Sequence, residues 1–174
     1  MKNHLLFYAL ILLCVFTHIV RTVYEIRKHR KTIKATKLSF LIIFTNMFLL
    51  WVSWFSLGVA DPYKEAIPDV YRYIGFILSG SGVVIFLTAL LTIKSLETYE
   101  GDLVSYGIYS IFRHPMYLGF ILWITGMPLF SGSIIATYLA LPFIANVLFW
   151  RYLEEKELIE RFPGYPAYRK KTIF

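Results

Sequence analysis

The chain has 174 residues, 57% of them hydrophobic and only 17% charged, with a formal net charge of +7 and a mean hydropathy of +0.59. A soluble domain of this length has no use for so much apolar surface, so the composition points to an integral membrane protein, and the length allows one domain, residues 1–174. The basic residues flank apolar runs instead of forming one folded basic face, which argues against nucleic acid as a partner.

The first apolar run covers about residues 5–20 and follows Lys2-Asn3-His4. Arg21-Thr22-Val23-Tyr24-Glu25 comes next where a cleaved leader would show small residues, so this is read as a retained span. The single cysteine, Cys14, lies inside it and cannot form an internal disulfide; it reads as a small buried hydrophobe. The second run, 38–60, is long enough to cross roughly 30 Å of hydrocarbon. The third, 73–93, carries Gly75, Ser79, Gly80, Ser81 and Gly82, which let a neighbouring helix approach closely. The fourth and fifth, 116–130 and 134–150, are joined by Ser131-Gly132-Ser133, a turn tight enough to make them antiparallel neighbours. Both are short for a full crossing, and Pro128 and Pro142 are expected to bend them or free backbone groups. The fold class expected is all-α, five transmembrane helices with a C-terminal cytoplasmic helix and tail.

Charge sets the orientation. Between the first two runs lie Arg21, Arg27, Lys28, Arg30, Lys31, Lys34 and Lys37 against Glu25 alone. The next connection, Asp61 to Arg72, is balanced, and the C-terminal segment is basic again with Arg151, Lys156, Arg161, Arg169, Lys170 and Lys171. Five spans with the N-terminus outside put both basic segments and the Lys94–Arg113 loop in the cytoplasm, where they also face anionic membrane lipids.

Two polar motifs then fall on the same side. Arg113-His114-Pro115-Met116-Tyr117-Leu118-Gly119 opens the fourth span. Pro115 suits a first helical turn, the backbone N–H groups there favour an anion such as a ligand carboxylate, and Arg113 and His114 add donors. Tyr117 is four residues from Arg113 and can share its face. Gly119 leaves room for a ligand or a helix. The second motif leaves the fifth span: Arg151, Glu154, Glu155, Leu158 and Phe162 recur at helical spacing, with Pro163-Gly164 as the stop. Arg151 can pair with Glu154 or Glu155, and Tyr165, Tyr168 and Thr172 form a polar, aromatic tail able to fold back over the site. Taken singly, an Arg-His pair at a span entrance is an interfacial anchor and a Glu-Glu pair is a solvated face. Grouped around one short hairpin, ionisable residues at membrane depth read as a functional site. No CxxC, HxxxH or HExxH spacing occurs, so no protein metal site is expected.

The order Gly107-Ile108-Tyr109, Arg113-His114-Pro115-x-Tyr117-x-Gly119, Arg151-x-x-Glu154-Glu155-x-x-Leu158, Phe162-x-x-Tyr165-x-x-Tyr168 resembles the isoprenylcysteine carboxyl methyltransferase family, and the related phospholipid N-methyltransferases share parts of it. The resemblance covers about Leu103 to Phe174; the family's Gly-Pro-Tyr is Gly107-Ile108-Tyr109 here. It implies a membrane methyltransferase using S-adenosylmethionine bound on the cytoplasmic side, with its catalytic part in about 94–174. Carried over residue by residue, it gives Arg151 and Glu154 to catalysis and Tyr109, Arg113, His114, Tyr117, Gly119 and Glu155 to the cofactor, leaving open which glutamate meets the cofactor. The expected acceptor is a lipophilic small molecule or lipid-modified substrate, an isoprenylcysteine-type carboxylate first, with a phospholipid amine, a small thiol and a lipid-like phenol as alternatives. A membrane reductase or isomerase on a similar scaffold, and a small membrane adaptor without activity, are the competing classes. Oligomeric state is unreadable from the sequence.

Overall fold

The computed structural model describes residues 2–33, 36–93 and 102–174. Lys34 and residues 94–101 of the predicted cytoplasmic loop lie outside them. Among the described residues six α-helices follow in chain order: α1 Lys2–His29, α2 Lys37–Ala60, α3 Asp69–Ile93, α4 Pro115–Ser131, α5 Ile134–Arg161 and α6 Tyr165–Lys171, with a 3₁₀ turn, Gly107–Ser110, before α4. Four of them, α1, α2, α3 and α5, are long and apolar enough to cross a membrane. The fourth predicted span, α4, is a 17-residue apolar helix, or roughly 25 Å at 1.5 Å per residue.

Two helices outrun their predicted apolar runs. α1 continues past residue 20 to His29, with Arg21 and Glu25 ion-paired one turn apart along it. α5 continues past 150 to Arg161 through the second polar motif, and its Pro142 does not end it. Pro128 likewise sits inside an unbroken α4. α5 then ends at its C-cap Phe162, whose N–H bonds the Leu158 carbonyl, ahead of Pro163-Gly164.

The bundle is held in three ways. First, α3 and α4 pack backbone to backbone. A methyl on Gly75 would meet the Phe130 nitrogen and lie 2.6 Å from the Gly126 carbonyl oxygen; one on Gly82 would lie 2.7 Å from the Gly119 oxygen. In lipid, where no hydrophobic force draws helices together, such small-residue faces supply dispersion contact. Gly80, on another face, meets nothing within 4 Å. Second, Trp51, Phe86, Phe120 and Trp123 interlock α2, α3 and α4 at centroid distances of 4.9–5.9 Å. Third, polar side chains join α1 to its neighbours. Asn46 donates to the Thr17 carbonyl (3.0 Å) and Cys14 to the Ser53 hydroxyl (3.1 Å). Toward α5, Asn146 Nδ2 donates to His18 Nδ1 (3.0 Å), Thr22 donates to Asn146 Oδ1 (2.8 Å), and Trp150 Nε1 donates to Thr22 Oγ1 (3.0 Å).

The α2–α3 connection closes one end. Asp61 is buried and accepts from the Ser133 hydroxyl and the Ile135 N–H at the start of α5, where an anion complements the helix dipole. Gly132 adopts φ +68° in the turn between α4 and α5, so that hairpin is as tight as its sequence demands.

Candidate functional site

At the other end of the bundle from Asp61, α4 begins. His114 is its N-cap and Pro115 its first residue. The C-terminal tail returns here. Ile173 N–H donates to the Ile111 carbonyl (2.9 Å) and Arg113 N–H to the Ile173 carbonyl (3.2 Å), a short parallel bridge. Tyr168 donates its hydroxyl to the Tyr109 carbonyl (2.6 Å), and the Tyr165 hydroxyl lies 3.3 Å from His114 Nε2. The tail therefore folds over the first motif as its aromatic spacing suggested.

Glu155 is the centre of charge. Its Oε1 accepts from Arg113 Nε at 2.8 Å and lies 3.4 Å from His114 Nε2 and 3.5 Å from Arg151; its Oε2 is 3.8 Å from Arg169. Arg113 also donates to the Thr172 carbonyl (2.7 Å), tying this hub to the tail. Glu154, one residue earlier, reaches His114 Nδ1 at 3.7 Å, so the buried imidazole lies between two carboxylates. Burial by itself disfavours the imidazolium, but hydrogen bonding to Glu154 and Glu155 wins and holds the His114 pKa above its ordinary value of 6.5. Burial pushes the Tyr109 phenol upward, reinforced by Glu154, and raises Tyr165 in the same way, reinforced by Glu155. Tyr168 is pushed up to about 12 by burial, with Arg113 opposing. All three phenols are therefore neutral hydrogen-bonding groups at physiological pH.

The sign of the His114 shift has a consequence for stability. A folded-state pKa above the unfolded one gives stabilisation that is complete below about 6.5 and is lost as pH rises through the folded value. Thermal unfolding in detergent should show the midpoint falling over that window in the unaltered protein. His114→Gln should flatten this portion of the curve; an unchanged slope would assign it to other groups.

Beside the hub lies a cavity of about 210 Å³. Its polar wall includes Tyr109, Arg113, His114, Tyr117 and Glu154, with Tyr165 and Tyr168 from the tail. Its apolar wall comes from α2, with Ile43, Phe44, Met47 and Trp51, and from Phe120 of α4. Five of the eight residues singled out from the sequence thus share one cavity. The other three do not line it. Arg151 stacks its guanidinium 4.4 Å over the Phe174 ring, and Glu155 sits among the arginines. Gly119 faces α3, where a methyl group would lie 2.7 Å from the Gly82 oxygen, so it admits a helix there rather than a ligand.

Sequence reasoning missed the contribution of the first two helices. Arg21, Glu25 and Lys28 of α1 line the same cavity, as do Glu157 and Arg161 of α5. The available signal was the four- and three-residue spacing of 21, 25 and 28, which puts them on one helical face. They were read only as a charge bias. Among the described residues no group of His, Cys, Asp and Glu could hold a metal ion.

Comparison with known proteins fits this geometry. The family model for phospholipid methyltransferase matches residues 70–164, more than half of the chain. Over 77 residues the chain is 34% identical to the protein-S-isoprenylcysteine O-methyltransferase of Schizosaccharomyces pombe; the alignment takes in 40% of this chain and 30% of that protein, so the shared segment spans under a third of the curated relative. No solved structure matches. The matched region carries α3, both polar motifs and all eight residues singled out from the sequence, and on that match the chain belongs to the phospholipid methyltransferase family.

Proposed function

We propose that this chain is a methyltransferase that uses S-adenosylmethionine and methylates a lipophilic acceptor reaching the site from the bilayer, an isoprenylcysteine-type carboxylate first among the candidates. The observation that carries the reading is the two-faced cavity: ionisable groups from α4, α5 and the tail on one wall, aromatic and aliphatic groups from α2 on the other. The donor set suits the cofactor. Arg113 and a protonated His114 can hold its carboxylate, Glu154 can accept from its ammonium or ribose hydroxyls, and Tyr109 adds a neutral polar contact. When bound, the cofactor supplies an electrophilic methyl on a sulfonium. The protein's part is positioning and exclusion of water: the tail covers the polar wall, and the apolar wall strips solvent from an anionic nucleophile. A carboxylate acceptor needs no general base. Glu155 and Arg151 act one side chain back, orienting Arg113 and His114 and anchoring Phe174.

On this reading α4 crosses as a fifth, short span, the N-terminus is outside, and the site opens to the cytoplasm, as the lysine and arginine asymmetry favours. A reporter fused after Phe174 should read cytoplasm and one at Lys64 the outside.

Calorimetry with S-adenosylhomocysteine on the purified protein is the direct test. The unaltered protein should bind, and Glu154→Gln should weaken binding roughly ten- to hundredfold, the worth of a charged hydrogen bond at about 1.5–3 kcal/mol, without loss of fold. Methyl-labelled cofactor and membrane lipid extract should then put label into the organic phase. Absence of binding by the unaltered protein would return the motifs to the adaptor reading, and label only in a water-soluble thiol would overturn the lipophilic acceptor.

A further inference from the structure

The tail that covers the site has a second face. Tyr165 and Thr172 are buried and Tyr168 is half-buried, all turned toward the site, whereas Pro166, Ala167, Arg169, Lys170 and Lys171 are exposed on the outside of α6, with Ile173 exposed just beyond. From Arg161 to Phe174 the chain carries Arg161, Arg169, Lys170 and Lys171 and no acid. We propose that the outer face of α6 docks on anionic phospholipid head groups of the surrounding leaflet through Lys170 and Lys171, and that this contact holds the tail down over the cavity. The docking surface stands on the fold alone; only its use in ligand binding rests on the proposed function.

α6 lies at the depth of the head groups. Its inner contacts reach the entrance of α4: Tyr168 bonds the Tyr109 carbonyl, Ile173 N–H bonds the Ile111 carbonyl, and Arg113 bonds the Thr172 carbonyl. At that level on α5 stands Glu155, 3.8 Å from Arg169. It follows Ile134, the first residue of α5, by about twenty residues, which is roughly 30 Å of helix at 1.5 Å per residue and matches the hydrocarbon core. Charge alone would suit water as well as lipid; the apolar neighbours favour lipid. Ile111 and Ile173, joined by the bridge, are 55% and 60% exposed. Ile159 and Pro166 share a shallow groove with Arg169 and Lys170. Exposed aliphatic groups beside cations make an interfacial surface, with the apolar parts at the acyl boundary and the ammonium groups among phosphates. The lysines are not spent elsewhere. Arg169 leans on Glu155, and the later acids of α5, Glu157 and Glu160, pair with Lys28 and Lys31 of α1. Among the described residues Lys170 and Lys171 have no acidic partner. The inner face is held by few bonds, so a contact on the outer face changes how often the tail opens.

The test places the full chain in nanodiscs of phosphatidylcholine alone, or of phosphatidylcholine with about a third phosphatidylglycerol, and follows amide hydrogen exchange. Both leaflets of a disc have the same lipid, so the orientation of the chain does not enter. The amides to follow are Tyr168, bonded to the Gly164 carbonyl, and Ile173, bonded to the Ile111 carbonyl. Anionic lipid should slow their exchange roughly five- to thirtyfold, about fivefold for each lysine near a charged surface, and high salt should remove most of the difference. Leu118, inside α4, should exchange alike in both discs. Lys170→Gln with Lys171→Gln, two exposed positions that leave the inner face intact, should abolish the lipid dependence. Equal exchange at Tyr168 and Ile173 in the two discs would overturn the inference, and so would an undiminished lipid effect in the double variant. S-adenosylhomocysteine affinity, measured in the same discs, should be higher in the anionic ones. Lipid-dependent exchange with no S-adenosylhomocysteine binding in either disc would sink the proposed function and leave the docking surface standing.

Discussion

Replacing Glu155 by alanine should unfold the site rather than merely weaken a ligand. Its carboxylate is the shared partner of Arg113, His114 and Arg151 at 2.8–3.5 Å, and it is only 12% exposed. Removing it leaves the buried Arg113 guanidinium with the Thr172 carbonyl and leaves the His114 imidazole with Glu154 and the Tyr165 hydroxyl. Breaking a buried pair by deleting one partner costs about 3–5 kcal/mol, because the remaining charge stays desolvated. Arg169 contributes little to this sum, being half exposed and 3.8 Å away. The expected result is a clear drop in the detergent unfolding midpoint of Glu155→Ala, together with loss of S-adenosylhomocysteine binding. Glu154→Gln should lose affinity at nearly unchanged midpoint. If Glu155→Ala kept its midpoint and lost affinity only, Glu155 would be a ligand contact and not the hub.

Gly75→Ala should be the most damaging single methyl in the membrane part of the chain. That methyl would run into the Phe130 nitrogen and the Gly126 oxygen, both backbone atoms that can move only if α3 and α4 separate. Overpacking a well-filled interface costs typically 1–3 kcal/mol, and here the obstruction is main chain on both sides. The same substitution at Gly80, five residues further on, meets nothing within 4 Å. There the higher helix propensity of alanine should leave stability unchanged or slightly raised. Unfolding of the two variants in parallel, by loss of helical circular dichroism in detergent titration, separates them. Equal behaviour of Gly75→Ala and Gly80→Ala would mean that the α3–α4 contact does not hold the bundle.

These two cases mark where reading the chain stops. That the run Gly75, Ser79, Gly80, Ser81 and Gly82 would admit a helix was legible, because small residues in an apolar run allow close approach, although Gly80 turns out to face no neighbour. Which helix they admit was not: the partner is α4, with Gly119 and Gly126 presented to α3. Gly119 stands inside the first polar motif, and its neighbours in sequence drew it toward the ligand; in space it belongs to the helix pair. The direction of a side chain around a helix is set by packing, which sequence spacing limits but does not choose.

By itself the sequence determined that the chain is apolar enough for a membrane, that two polar motifs flank one short hairpin, that α4 starts near His114 with Pro115 in its first turn, and that the helix carrying the second motif stops before Pro163-Gly164. Each follows from local physics: hydropathy, helical periodicity, the missing N–H of proline. Tertiary structure decided what depends on residues far apart in the chain. It separated Glu154, on the cavity, from Glu155, in the arginine hub, although one peptide bond divides them and a helix turns about 100° between neighbours. It moved Arg151 onto Phe174 and away from the cavity, and it brought Arg21, Glu25 and Lys28 from the opposite end of the sequence into the cavity wall. A hub of one carboxylate and three guanidiniums is satisfied only when three segments meet, the start of α4, α5 and the C-terminal tail, and no spacing along the chain reveals that meeting.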